Sequence, residues 1–317
     1  MPKLQPIYIF DPILKSTIWG GDAICRFKGI SEGPKSVGES WEISDMGEWQ
    51  SIVAAGPERG ITLHGLVTRY GERLVGRRSI DRYGLRFPLL VKFIDAAHNL
   101  SLQVHPGDEM AMRNHASPGK VEMWYVIGTR GDAAIYAGFN RQMTPELYTA
   151  MTADKTIMQA VKRHDIAPGD TFYLPSGHVH AIGAGTFLVE IQQASDITYR
   201  IYDYDRLDSN GVPRKLHTEL AREAIDFDST ECCRKHPGDG DTELVSCEHF
   251  NVGRLTVTEE GVTPARPDDS FAVLMCIDGE CTANGNTVLR HGTTALIPAA
   301  SPMPHITGKA TLLTATL

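Results

Sequence analysis

Four side chains stand out by type and spacing: Gln103, His105, Glu122 and His180. Gln103-Val-His105-Pro106 closes an apolar segment, and residues two apart on a strand share a face. Glu122 comes seventeen residues after His105 and opens a second apolar strand. His180 ends His178-Val-His180, just after the turn Pro175-Ser-Gly. One amide oxygen, two imidazoles and one carboxylate suit Zn²⁺ or another borderline divalent ion, with a coordination position left for water or substrate. A solitary His, or an isolated H-x-H, is more commonly a hydrogen-bonded structural group. The weight therefore rests on the three segments together, on strands that a β-sandwich brings face to face.

Other polar residues cluster in sequence around these four. Lys120 precedes Glu122 by two and shares its face if the strand extends back that far. Lys92 interrupts the apolar run Pro88-Leu-Leu-Val-Lys92-Phe-Ile, where an unpartnered charge costs desolvation; an edge strand or a snorkelling side chain are the other readings. Asp196-Ile-Thr-Tyr-Arg200 follows an apolar strand that carries Glu190 and Gln192 near its end. The sequence Asp203-Tyr-Asp205-Arg206 reads as a solvated turn.

The elements that must hold these residues are mostly strands, cut by 30 Gly and 18 Pro. Expected strands are 89–94, 100–104, 123–127, 171–174, 187–192, 271–276 and 293–297. Thr144-Pro-Glu146 is a cap, a Pro and an acid, and starts a helix towards Val161; weaker helices are expected over 63–74 and 218–225. Pro168-Gly-Asp-Thr-Phe-Tyr-Leu-Pro175 is echoed by His291-Gly-Thr-Thr-Ala-Leu-Ile-Pro298, each preceded by a strand and a Gly turn. This is read as two copies of one β module, and the Gly-Asp-x-x-x-x-Pro segment resembles a signature of cupin jelly rolls. The second copy has no counterpart of Glu122, and its His305 lies seven residues past Pro298, against five from Pro175 to His180. Metal is expected in the first copy alone. The resulting architecture is mainly β, two cupin-type jelly-roll modules with a few helices: a catalytic unit over 1–205, a polar connection over 206–241 and a degenerate unit over 242–317.

The 317 residues contain 31 Lys+Arg against 39 Asp+Glu, a formal charge of −8. That gives no general attraction to polyanions, so nucleic acid and anionic membranes are not expected partners, although a locally basic pocket can still hold a small phosphorylated ligand. The longest apolar run, Phe271 to Ile277, is far short of the roughly 20 residues of a spanning helix. The start MPKLQPIYIFDPILK has no signal-peptide pattern. Six cysteines form no C-x-x-C pair and two are adjacent (232 and 233), which disfavours a disulfide framework and a Cys-zinc site and makes a reducing cytoplasm the expected location.

Taken together, the motifs Gly38-Glu-Ser-Trp-Glu-Ile-Ser44, Leu100-Ser-Leu-Gln-Val-His-Pro106, Gly119-Lys-Val-Glu-Met-Trp124, Pro175-Ser-Gly-His-Val-His-Ala-Ile-Gly183 and Ser195-Asp-Ile-Thr-Tyr-Arg200 make the chain resemble the type I mannose-6-phosphate isomerases, in their shorter bacterial form. The resemblance runs over most of the chain and keeps the motifs in order. It implies a zinc-dependent cupin enzyme, one Zn²⁺ per chain, interconverting mannose 6-phosphate and fructose 6-phosphate. The family's zinc ligands fall on Gln103, His105, Glu122 and His180, its active-site arginine on Arg200, its motif lysine on Lys120 and its acid on Asp196. Lys92, Ser101 and Glu190 are read with them as substrate-binding residues. Here the family's Lys-Pro-Glu is Lys120-Val-Glu122, and the chain after Arg200 departs from the longer enzymes, which carry a lysine there. Two other readings stay open. Two His and a carboxylate also form the facial triad of Fe(II) oxygenases, against which Gln103 is a fourth donor; a cupin that binds sugar without catalysis is the other. A monomer or a homodimer fits the sequence equally.

Overall fold

The computed structural model describes residues 3–208, 210–229 and 233–317. Three sheets organise the chain. A seven-stranded sheet runs, neighbour to neighbour, through Cys233–Lys235, Thr171–Leu174, Glu122–Thr129, Thr186–Gln193, Leu89–Ala96, Val37–Ile43 and Ile13–Gly21. A five-stranded sheet runs through Val161–Asp165, Ala134–Phe139, His180–Ile182, Leu102–Val104 and Tyr199–Tyr202. These two form the sandwich of the first jelly roll. The third sheet contains the C-terminal strands Thr242–Ser246, Asn251–Val257, Ala272–Ala283, Thr287–Arg290, Thr294–Ile297 and Ile306–Thr316, and it also takes in Tyr8–Asp11 and Ile52–Val53 from the start of the chain.

Side-chain alternation explains why the seven-stranded sheet can carry charge on one face. Leu89, Val91, Phe93, Met123, Tyr125, Phe187, Val189 and Ile191 point to a core shared with Phe271, Val273 and Leu313 of the third sheet. The alternate positions Ile94, Trp124, Val126 and Leu188 point into the sandwich, against Ile135, Ala137 and Ile182. Lys92, Glu122 and Glu190 fall on that second set, so the pleat delivers three charged groups to the sandwich interior while every strand keeps an apolar back. The five-stranded sheet does the same in mirror fashion. Leu102, Val104, Val179, Ala181, Tyr199 and Ile201 face Tyr148 and Ala221 of two covering helices, Pro145–Ala153 and Thr218–Ala224. Gln103, His180 and Arg200, each between two of these residues, face the other way.

The strands expected from sequence are present, and the two repeats behave alike. Thr171–Leu174 returns antiparallel on Glu122–Thr129 (Phe172 opposite Trp124), and Thr294–Ile297 returns on Ala272–Ala283 (Leu296 opposite Val273). Some boundaries differ. The helix begun at Thr144, whose Oγ1 accepts from Leu147 N, ends at Ala153; Lys155 turns left-handed and a 3₁₀ turn follows over Ile157–Ala160. The 63–74 helix breaks at Gly71 into Leu63–Tyr70 and Glu72–Val75. Helices over Ala23–Lys28, Arg77–Tyr83 and Asp108–His115 were not expected. The last has acids in its first turn and bases in its last, a charge pattern that complements the helix dipole but lacks an apolar stripe to announce it.

Cys25, Cys247, Cys276 and Cys281 are free thiols, and Cys232 lies outside the described residues. Among the described residues no helix is long and apolar enough to cross a membrane.

Candidate metal centre and its cavity

His105, Glu122 and His180 converge in the sandwich interior, all three buried, with their ligand atoms within 4.8 Å of one another. Nε2 of His180 is 3.2 Å from Glu122 Oε1, and Nε2 of His105 is 3.5 Å from Glu122 Oε2. The two Nε2 atoms are 3.2 Å apart. Each ring is fixed from behind: Nδ1 of His105 donates to Ile197 O at 2.8 Å, and Nδ1 of His180 to His178 O at 2.8 Å. A carbonyl can only accept, so both Nδ1 atoms carry the proton and both Nε2 lone pairs of the neutral rings aim inward. Burial pushes the His180 imidazole down to about 3 and lowers His105 as well, so neither ring takes a second proton near neutrality.

Glu122 is pulled the other way. Burial works to raise its carboxyl, but the charge of Lys120 overcomes this and holds it well below the usual carboxylate range. Lys120 Nζ lies 2.8 Å from Glu122 Oε2, yet neither carboxylate oxygen receives an aligned hydrogen bond. Two inward lone pairs beside an ionised, under-bonded, buried carboxylate form a donor set that a divalent cation satisfies, so the residues fit a metal. Gln103 lies next to the cluster. Its amide nitrogen is 3.3 Å from His180 Nε2, and a flip of the amide would turn Oε1 to the same point.

Local backbone geometry sets these positions. Gly177 (φ +82) makes the turn that leads into His178 and His180, and its N–H donates to His105 O at 2.9 Å, tying two ligand segments together. A Cβ on Gly119 would sit 2.6 Å from Asp108 N, so the chain can approach the Pro106–Asp108 turn only with glycine there. That close approach brings Lys120 beside His105, at 3.3 Å from Nζ to Nε2, although Lys120 precedes the first residue of its strand.

A cavity of about 280 Å³ opens beside the cluster. Every substrate or catalytic candidate read from sequence lines it: Lys92, Ser101, Lys120, Glu190, Asp196 and Arg200, with Gln103 from the metal group. Lys92 proves to be neither an edge residue nor snorkelling; it sits in the middle of the sheet, 3.0 Å from Glu190 and 3.6 Å from Glu39. Burial works to lower its ammonium, but the two carboxylates more than offset this and raise it. Glu190 also accepts Trp124 Nε1 at 2.9 Å. Arg200 stands opposite Gln103 in the adjoining strand and donates Nε to Ser101 Oγ at 3.3 Å.

The sequence reading missed Glu39, Arg214 and His217, which line the same cavity. Glu39 lay inside a quoted motif without a role, and the other two lie in a polar stretch with no periodicity. The reading of 203–206 as solvated is corrected at Asp203: the carboxylate is buried and accepts Arg206 and Arg214, whose charges need a counter-ion at the cavity rim.

A β-sandwich of this architecture, with two histidines, a glutamate and an amide converging beside a charged cavity, defines a cupin with a metal-type site. A family model described as phosphomannose isomerase type I, catalytic domain, matches residues 7–158. The mannose-6-phosphate isomerase ManA of Bacillus subtilis is 37% identical over 284 residues, 87% of this chain and 86% of its own length. A putative mannose-6-phosphate isomerase of the same bacterium, YvyI, is 35% identical over 98% of each chain. The crystal structure of mannose 6-phosphate isomerase from Bacillus subtilis superposes with a TM-score of 0.87 at 33% identity, covering 99% of this chain and 100% of that one. The chain belongs to the type I phosphomannose isomerase family.

Proposed function

We propose that the chain is a zinc-dependent aldose–ketose isomerase that interconverts mannose 6-phosphate and fructose 6-phosphate through an enediol(ate), with one zinc held by Gln103, His105, Glu122 and His180. The observation that carries this is a metal-type cluster of His105, Glu122 and His180 bordered by a cavity whose wall holds Gln103, Lys120, Asp196 and Arg200, with Lys120 touching both. The relatives' names supply mannose 6-phosphate as the sugar that is isomerised. Bound there, zinc would supply Lewis-acid polarisation of the sugar's carbonyl and hydroxyl oxygens.

The chain's own residues account for the rest. Isomerisation takes the proton from C2 of the aldose to C1, while the charge that builds on the oxygens between them must be stabilised. Arg200 is a fixed cation on the cavity wall, held by Ser101 Oγ and Lys215 O, and it stabilises the enediolate. Lys120 or Asp196, both on the cavity wall, takes the proton from C2 and returns it to C1, so the group ends in the state in which it began. Lys92, Glu190 and Ser101 bind the sugar hydroxyls, the first two as a preformed ion pair whose orientation is fixed by Trp124 and Glu39. The catalytic work falls to the unit over 1–205, joined through 206–241 to a supporting unit over 242–317. We read the enzyme as cytoplasmic, a monomer or a homodimer.

The test is steady-state kinetics of wild type and Arg200→Ala on mannose 6-phosphate. The reading expects isomerase activity in the wild type and a loss that falls on kcat in the variant. Raised KM with unchanged kcat would remove Arg200 from the chemical step. Oxygen uptake by an iron-loaded protein without isomerase activity would replace the function.

A further inference from the structure

The five-stranded sheet sets His180, Gln103 and Arg200 side by side on adjacent strands, and Arg200 is on its last strand. The stretches 203–208 and 210–217 fold back onto that open edge, where His217 N donates to Arg200 O at 2.7 Å. Asp203 accepts Arg214 Nε at 2.7 Å and Nη2 at 2.5 Å, a two-pronged grip that fixes the guanidinium plane. Arg206 shares the same carboxylate, and its other nitrogens go to Asn99 O and Asp203 O, so all three of its donor arms are occupied.

The neighbours differ. Among the described residues, no acceptor is found for Nη1 of Arg214, nor for Nη2 of Arg200, whose Nε and Nη1 go to Ser101 and Lys215 O. His217 Nδ1 accepts Arg200 N at 3.2 Å, which puts the ring proton on Nε2. Arg200, Arg214 and His217 line the cavity together with Gln103 and Lys120. Arg206 and Arg214 share the single buried carboxylate of Asp203, and Arg200 feels the charge of all three, so at this corner the guanidinium groups outnumber the carboxylate that holds them, on a protein whose formal charge is −8. A phosphate monoester carries about −1.5 to −2 at neutral pH and offers three acceptor oxygens.

We propose that Arg214, locked by Asp203, anchors the phosphate of the sugar phosphate, with His217 Nε2 as its second donor, on the side of Arg200 away from the metal cluster. This rests on the sugar-phosphate reading above and adds the direction in which substrate lies: phosphate at the sheet edge, reacting carbons towards Gln103 and Lys120. Arg200 sits between the two ends and remains free for the chemical step.

The test compares wild type, Arg214→Lys and Arg214→Gln, at equal metal content, by calorimetric titration with inorganic phosphate and by kinetics on mannose 6-phosphate. The glutamine variant should weaken phosphate binding and raise KM by roughly 10–100-fold, with kcat within about twofold. The lysine variant, which keeps a charge for Asp203 but loses the fork, should fall between the other two. Phosphate affinity equal in wild type and Arg214→Lys, or a loss confined to kcat, would overturn the anchor. A wild type that binds phosphate through Arg214 but lacks isomerase activity would instead overturn the functional reading and leave the anion site standing.

Discussion

Nε2 of His105 and Nε2 of His180 face each other at 3.2 Å, with both Nδ1 protons committed to backbone carbonyls behind them. Two lone pairs that close repel unless something positive lies between them, and Glu122 brings a third electron-rich donor to the same point. The fold enforces the encounter from three separate segments, so the cluster has the geometry and donor set to hold a cation.

The first consequence concerns Glu122. Glu122→Gln keeps the size and removes the charge, so metal affinity should fall by more than the roughly 10–100-fold typical of losing an outer-sphere partner. Competition with a chromophoric chelator measures this, and an unchanged affinity would exclude Glu122 as a ligand.

Lys92 provides a stability test separate from the metal. It is buried between Glu190 and the half-buried Glu39, so Lys92→Met leaves the Glu190 carboxylate in the interior without its cation and should cost about 3 kcal/mol in urea unfolding. Adding Glu190→Gln should restore part of that loss, giving a non-additive cycle. Additive costs would mean that the pair does not interact.

An acid-stability test lies at the other side of the chain. Glu58 accepts Tyr70 Oη at 2.6 Å and Arg69 Nη1 at 3.0 Å, and also takes the Tyr8 hydroxyl. Burial favours its neutral form, but these donors outweigh it and lower the carboxyl. In the acid range the unfolded chain therefore binds more protons at this position than the native one. The stabilisation is fully present above the ordinary carboxylate value of about 4.3 and is lost as pH falls through the lowered native value. Glu58→Gln should reduce stability at neutral pH and flatten its decline from about pH 5 to pH 3; an unaltered slope in unfolding curves across that range would contradict the assignment.

The clustering of His105, Glu122 and His180, with Gln103 beside them, was legible because strand alternation is strict: an isolated polar residue in an apolar strand, such as Glu122 or Gln103, marks the face it must occupy. The β architecture was legible in short strands cut by Gly and Pro, and the repeat in the echo of 168–175 by 291–298. What stayed hidden needed long-range pairing. Tyr8–Asp11 joins a sheet whose other strands lie more than 230 residues away in sequence, apart from Ile52–Val53, and no local pattern announces that partner. Asp203 resembled a solvated turn acid because its partner Arg214 is eleven residues on, in a stretch without periodicity. Lys92 could be placed in a strand, but not in the centre of a sheet, until Glu190 and Trp41 were seen as its cross-strand neighbours.

The most direct measurement is metal content together with mannose 6-phosphate isomerase activity on one purified sample, before chelation, after it, and after metal is returned. The account predicts about one zinc per chain, activity that disappears with the metal, and recovery on adding zinc back. Full isomerase activity in a sample stripped of metal would contradict it.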